Sequence, residues 1–202
     1  MSAQINSAVL ASASTVEEPP KDASVLVGGN ASAGANDPIA KAATEVKHSF
    51  HACADGIALG KSKHVVLLDL HNLEISTARR SVVVRYVSTK STSYLEYQAR
   101  EKDQDLTGLA DWSGSALLGT YLLRLPPALL CGKRILELGC GCAGCGLIAA
   151  TDAIGASSVV MTDCSEDVLA LAQHNITLQP PSVQARLKLA KLDWSDTGCL
   201  CS

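Results

Sequence analysis

Glu137, Gly139, Gly141, Gly144 and Asp163 are the residues of this sequence whose types and spacing could do chemistry, with Trp112 and Trp194 on either side of them in the chain. The three glycines fit G-x-G-x-x-G, a turn tight enough to bring backbone close to a ligand. That pattern alone suggests a dinucleotide. Asp163 closes the next apolar run, where a carboxylate accepts hydrogen bonds from ribose hydroxyls; NAD and S-adenosylmethionine both carry ribose. Glu137 separates the two. A carboxylate beside the turn repels a pyrophosphate, and more strongly where water is excluded. It attracts the ammonium and sulfonium groups of S-adenosylmethionine. Trp194 is placed to pack on an adenine. Cys140, Cys142 and Cys145 form a C-x-C-x-x-C cluster, but a fourth thiolate or His at usable spacing is missing. They read as small apolar residues in a crowded turn, with no metal expected.

These residues need a strand, a turn and a helix to hold them. Ile135–Leu138 reads as a strand, and Cys145–Ala150 as a helix ending around Gly155. Ser158–Asp163 is the next strand, apolar throughout as a buried parallel strand should be. Ser165 caps a further helix with Glu166 and Asp167 in its first turn. Its inner face is Val168, Leu171, Ala172, Asn175 and Ile176, and Pro180-Pro181 stops it. Ala185–Leu192 is the third strand. The alternation implies a parallel sheet with right-handed crossovers. Upstream, Leu117, Leu118, Tyr121, Leu122 and Leu125 mark the apolar face of a helix capped by Asp111 or Ser113 and ended by Pro126-Pro127. Trp112 stands in the loop before it.

Earlier still, His64–Leu70 and Leu73–Thr77 read as two strands joined at His71-Asn72, and Ser81–Val87 with Thr92–Tyr97 as a second pair. Arg79, Arg80 and Arg85 read as a solvated face, and His64 and His71 have no ligand-type partner in the pattern. Arg100–Asp105 is a charged linker. Residues 1–47, rich in Ala, Ser and Gly, read as a disordered leader, with at most a short helix near Pro38–Val46. Three segments follow: leader 1–47, β-strand extension 48–105 and nucleoside-binding unit 106–202.

Composition narrows the function classes. Hydrophobic residues make up 47% of the chain and charged residues 18%, so the average is globular, while aromatics at 3% leave the core to aliphatics. A net charge of −3 gives no electrostatic reason to expect nucleic acid. No apolar run approaches the ~18 residues of a membrane span, and the N-terminus lacks a secretory pattern. Eight cysteines without such a signal point to free thiols in the cytosol, with the nucleus also open. A hydrolase is disfavoured, because no G-x-S-x-G elbow occurs.

In order, G-L-A-D-W-S-G-S-A-L-L, I-L-E-L-G-C-G-C-A-G-C-G-L, V-V-M-T-D and L-D-W resemble the family-16 seven-β-strand methyltransferases, largely protein-lysine methyltransferases. The likeness covers about Leu106 to Asp196. It implies a Rossmann-like, doubly wound α/β fold, of which the first half (strand order 3-2-1) is present, with an N-terminal β-hairpin extension. It implies S-adenosylmethionine as cofactor, contacted by Trp112, Gly139, Cys140, Gly141, Asp163 and Trp194 with Glu137 as the motif's acid, and a protein lysine as acceptor. Ala143 departs from the family's usual Gly. The family continues into a fourth strand with an Asp-x-x-Tyr-like motif, whereas this sequence stops at Ser202. The expectation is a C-terminally truncated chain, its first strand open at one edge, poorly soluble and inactive alone. Two other readings stay open: an NAD(P)-binding oxidoreductase and a non-catalytic nucleoside-binding module.

Overall fold

The computed structural model describes residues 44–59, 64–89 and 107–195, without the side chains of 52–55 and His64. In chain order its elements are β1 (Glu45–Leu59), β2 (His64–Ser76), β3 (Ser81–Thr89), a 3-10 turn (Thr107–Leu109), α1 (Ser113–Arg124), α2 (Pro127–Leu130) and β4 (Arg134–Leu138). Then come α3 (Gly144–Ala149), β5 (Ser158–Asp163), α4 (Glu166–Thr177), α5 (Pro181–Gln184) and β6 (Leu187–Lys191).

Two sheets result. β4, β5 and β6 are parallel with β5 in the middle, which is the 3-2-1 half of a Rossmann-like sheet. Parallel pairing places the C-terminal ends of β4 and β5 side by side, Leu138 opposite Thr162, so the glycine turn and Asp163 emerge together. β4 pairs on one side only among the described residues, and Leu136 and Leu138 are 60% and 54% exposed. β1, β2 and β3 form an antiparallel sheet with β2 central. Both α3 and α4 touch β3 as well as β5, and α1 packs on β2 and α3, so helices lie between the two sheets in one continuous core. Asn175 of α4 is fully buried there. Its side chain accepts from Val87 N–H (2.7 Å) and donates to the carbonyls of Val87 and Cys142 (2.8 Å each). One amide thus joins the antiparallel sheet, α4 and the glycine turn.

Most strand and helix expectations match, and the differences have physical causes. His64–Ser76 is one strand rather than two. Its inward residues switch from even numbers (Val66, Leu68) to odd ones (His71, Leu73, Ile75), and in sequence such a switch of parity looks like a turn. β1 was not expected, and Glu45–Lys47 belong to it rather than to the leader. The face proposed for α1 is largely outward: Leu117, Leu118 and Tyr121 are exposed, while Gly119 and Leu123 are buried. The cause is close approach, because a Cβ on Gly119 would lie 2.5 Å from Ile148 Cδ1 and 3.0 Å from Ile75 Cδ1. α1 has no side-chain cap, and Asp111 is used elsewhere. α3 stops at Ala149, short of Gly155, and Pro181 opens α5 rather than only stopping α4. Arg80 is not solvated: its guanidinium donates to the carbonyls of Leu123, Leu125 and Ala153, closing the C-terminus of α1. The expected strand Thr92–Tyr97, the linker 100–105 and most of the leader lie outside the described residues.

Candidate cofactor cleft

β4 ends at Leu138 and the chain reverses at once. Gly139 and Gly141 have φ of 65° and 54°, a region open to glycine at little cost. The turn is pinned to β5, with Cys140 N–H donating to Thr162 O (2.8 Å) and Gly141 N–H to Asp163 Oδ2 (3.2 Å). Ala143 follows with φ of 72°, left-handed for a residue that carries a Cβ. That conformation costs about 1–2 kcal/mol, so the departure from glycine noted in the sequence is a strained position.

Glu137 points beneath α3. A Cβ on Gly146 would lie 2.5 Å from Glu137 Oε2 and 2.1 Å from Met161 Sδ, so only glycine allows the helix to cross there. Glu137 Oε2 is buried without a hydrogen-bond partner. Burial pushes its carboxyl up to about 7, with a hydrogen bond from the Gly146 amide opposing. A buried carboxylate oxygen without a partner is costly and favours a cation or donor brought to it.

Asp163 stands at the end of β5. Besides Gly141 N–H, it accepts from Ser165 N–H on Oδ1 (3.1 Å). Two bonds leave lone pairs on both oxygens. Trp194, 68% exposed, lies over the turn, its ring 3.7 Å from where a Cβ of Gly139 would sit. Trp112 precedes α1, exposed, with its indole N–H on Thr107 O (2.8 Å). Trp112, Glu137, Gly139, Cys140, Gly141, Asp163 and Trp194 all line one cleft of about 1070 Å³, whereas Gly144, the third glycine of the triplet, opens α3 against Ser115 and does not line it. Leu118 and Leu122 line it too, which accounts for part of the outward apolar face of α1.

The three clustered cysteines point apart. Cys140, Cys142 and Cys145 lie near the carbonyls of Gly141, Ala110 and Ser115 respectively. Burial pushes all three thiols up, Cys142 to about 12 and Cys145 to about 11, so they are neutral near pH 7. Sequence reasoning missed Thr107, Gly108 and Ser115 as cleft residues, although Gly108 and Ser115 fall inside the Trp112 motif. It also gave His71 no partner. In the fold, His71 Nδ1 is 2.9 Å from His48 Nε2, and both face Asp111. Burial lowers the His71 pKa, with Asp111 opposing.

A parallel half-sheet with an acid before a glycine turn, and a second acid closing the adjacent strand, defines a nucleoside-binding unit of the Rossmann-like class. Residues 90–199, just over half of the chain, match the lysine methyltransferase family, and the chain belongs to it. Over 86 residues it is 36% identical to mouse (Mus musculus) methyltransferase-like protein 22, covering 41% of this chain and 21% of that protein. The chain therefore spans about a fifth of that relative's length. Among solved structures, a candidate methyltransferase complexed with SAH aligns at 18% identity and a TM-score of 0.39, over 56% of this chain and 25% of its own. A candidate RNA methyltransferase from Pyrococcus horikoshii aligns at 17% and 0.35, over 52% of each chain.

Proposed function

We propose that the cleft binds S-adenosylmethionine and serves methyl transfer to a lysine side chain of a protein. The observation that carries this reading is Glu137 beside the glycine turn, whose buried Oε2 has no hydrogen-bond partner. The family's cofactor has an ammonium, a sulfonium and a ribose diol. The cleft has Glu137 for positive charge, Asp163 for ribose hydroxyls, glycine backbone that permits close approach, and indole faces of Trp112 and Trp194 for the adenine and the cleft mouth. A dinucleotide's pyrophosphate would meet Glu137 with like charge.

Bound S-adenosylmethionine supplies a methyl group activated by the sulfonium. The part of these residues is to bind and orient. Glu137 would hold a cationic group below α3, Asp163 would fix the ribose against the end of β5, and the two tryptophans would exclude water from the mouth. Such positioning removes much of the entropy of bringing donor and acceptor together. Among the described residues, Cys131, Cys140, Cys142, Cys145 and Cys164 are free thiols, and no helix is long and apolar enough to cross a membrane.

Isothermal titration of the full chain with S-adenosylmethionine, its demethylated product and NAD tests the cofactor assignment. Binding of the first two without NAD is expected; heat with NAD alone would overturn it. Transfer of radiolabelled methyl from S-adenosylmethionine to lysine, read by acid hydrolysis of labelled lysate protein with this chain and with one extended by a family-like C-terminal half, tests the acceptor. Label recovered only on residues other than lysine would refute that part.

A further inference from the structure

On the face of the antiparallel sheet that meets the loop before α1, three side chains from distant parts of the chain converge: His48 on β1, His71 on β2 and Asp111. Their side chains are 30%, 7% and 17% exposed. His48 Nε2 is 2.9 Å from His71 Nδ1, and each of these nitrogens is 3.9 Å from Asp111 Oδ2. A point in the plane of the three atoms lies about 2.1 Å from each, the length of a zinc–nitrogen or zinc–oxygen bond, and tetrahedral ligation asks only that the two imidazole nitrogens part from 2.9 Å to about 3.4 Å.

The surroundings orient the three atoms inward. His71 Nε2 is 2.8 Å from Ser88 Oγ, which engages the far side of the ring and leaves Nδ1 facing His48 and Asp111. Tyr86 O–H donates to Asp111 Oδ1 (2.9 Å), leaving Oδ2 toward the histidines. Tyr86 also stacks on His71, with ring centroids 4.9 Å apart and an interplanar angle of 4°. Metal-ligating histidines and carboxylates are typically held by such outer partners. Nothing in the cofactor cleft uses these groups.

We propose that His48, His71 and Asp111 form a divalent transition-metal site, with zinc as its ion. Two imidazole nitrogens and one carboxylate oxygen suit zinc, and three protein ligands leave a fourth position for water. The consequence for the fold is mechanical. Asp111 directly precedes Trp112, so an ion held there fastens the lip of the cofactor cleft to β1 and β2. The competing account is a metal-free hydrogen-bond chain from Ser88 through His71 and His48 to the Tyr86 hydroxyl, which donates to Asp111.

The test is cobalt(II) titration of the full chain after chelator treatment, followed by visible absorption. One equivalent should bind and give ligand-field bands without near-ultraviolet thiolate-to-cobalt charge transfer, and zinc should displace it. His48→Gln and Asp111→Asn should each weaken binding by about a hundredfold or more. His48 is partly exposed, so its variant is expected to keep the wild-type circular dichroism; if it does not, Asp111→Asn, which keeps the shape of the side chain, decides. Absence of cobalt binding to the wild-type chain would overturn the proposal in favour of the hydrogen-bond chain. Charge-transfer bands, or affinity unchanged in a folded variant, would overturn it by placing the ion elsewhere. Zinc should also raise the thermal midpoint of the wild type and not of the variants.

Discussion

Replacing Glu137 by Gln removes a charge while keeping the shape of the side chain, and the structure fixes the direction of the effect. The carboxyl titrates at about 7 in the fold against an ordinary value of 4.5, because burial penalises its charged form. Between those values the folded chain holds a proton that the unfolded chain has released. Glu137 therefore contributes a fall in stability as pH rises from about 4.5 to 7, complete above it, while His71, whose pKa burial lowers, contributes a rise as its ring loses its proton. Each pH unit in that window is worth about 1.4 kcal/mol, which sets an upper limit of about 3.5 kcal/mol for the cost of ionising the buried group. Glu137→Gln should remove its contribution, so the difference between variant and wild type isolates this group. At pH 8 the variant should be about 2–3 kcal/mol more stable than the wild type, and at pH 4.5 the two should nearly coincide. Cofactor binding should move the other way. If Glu137 holds a cationic group, the variant loses a charge-assisted contact worth about 1.5–3 kcal/mol, or roughly ten- to a hundredfold in affinity. Urea denaturation at pH 4.5 and 8, with isothermal titration at pH 8, measures both. A variant less stable at pH 8, or one that binds S-adenosylmethionine as tightly as the wild type, would refute the reasoning.

Three further outcomes follow from other contacts. Asp163→Ala removes the acceptor for Gly141 and Ser165 N–H as well as the proposed ribose contact, so S-adenosylmethionine affinity should fall by roughly ten- to a hundredfold. An unchanged dissociation constant with unchanged circular dichroism would reduce Asp163 to a turn anchor. Ala143→Gly relieves a left-handed alanine but loosens the unfolded chain, and should stabilise by about 0.5–1 kcal/mol in thermal melts; destabilisation would contradict the strain argument. Asn175→Leu leaves Val87 N–H and two carbonyls without their buried partner, and should cost about 3 kcal/mol or more by urea denaturation; a loss under 1 kcal/mol would show that the amide is not the joint described.

The cleft was legible in the sequence because its parts are local or sit at strand ends. Glu137, Gly139 and Gly141 lie within five consecutive residues, and parallel pairing carries Asp163 to their side once two strands are recognised. The inner face of α4 was legible for a related reason: helical period and a solvent boundary coincide, and Val168, Leu171, Ala172, Asn175 and Ile176 are all buried. The same reasoning misplaced α1. There the largest apolar side chains line a cleft or face outward, and the neighbour is met by Gly119, a residue that hydrophobic periodicity ignores.

By itself, then, the sequence determined the strand–turn–helix unit and the acids around it, because backbone geometry and short-range periodicity dictate them, while the 3-2-1 order of the parallel strands came from the family resemblance and is what the sheet shows. Only the tertiary structure decided how the N-terminal strands are used. Their sheet packs onto α3 and α4, Arg80 closes α1, and His48 and His71 are carried to Asp111 from far along the chain. These contacts arise from strand register and from the packing of a sheet on helices. Neither leaves a period or spacing that can be read along the chain. The charge state of Glu137 belongs with them: its position was in the sequence, but its raised pKa comes from the helix that crosses it at Gly146.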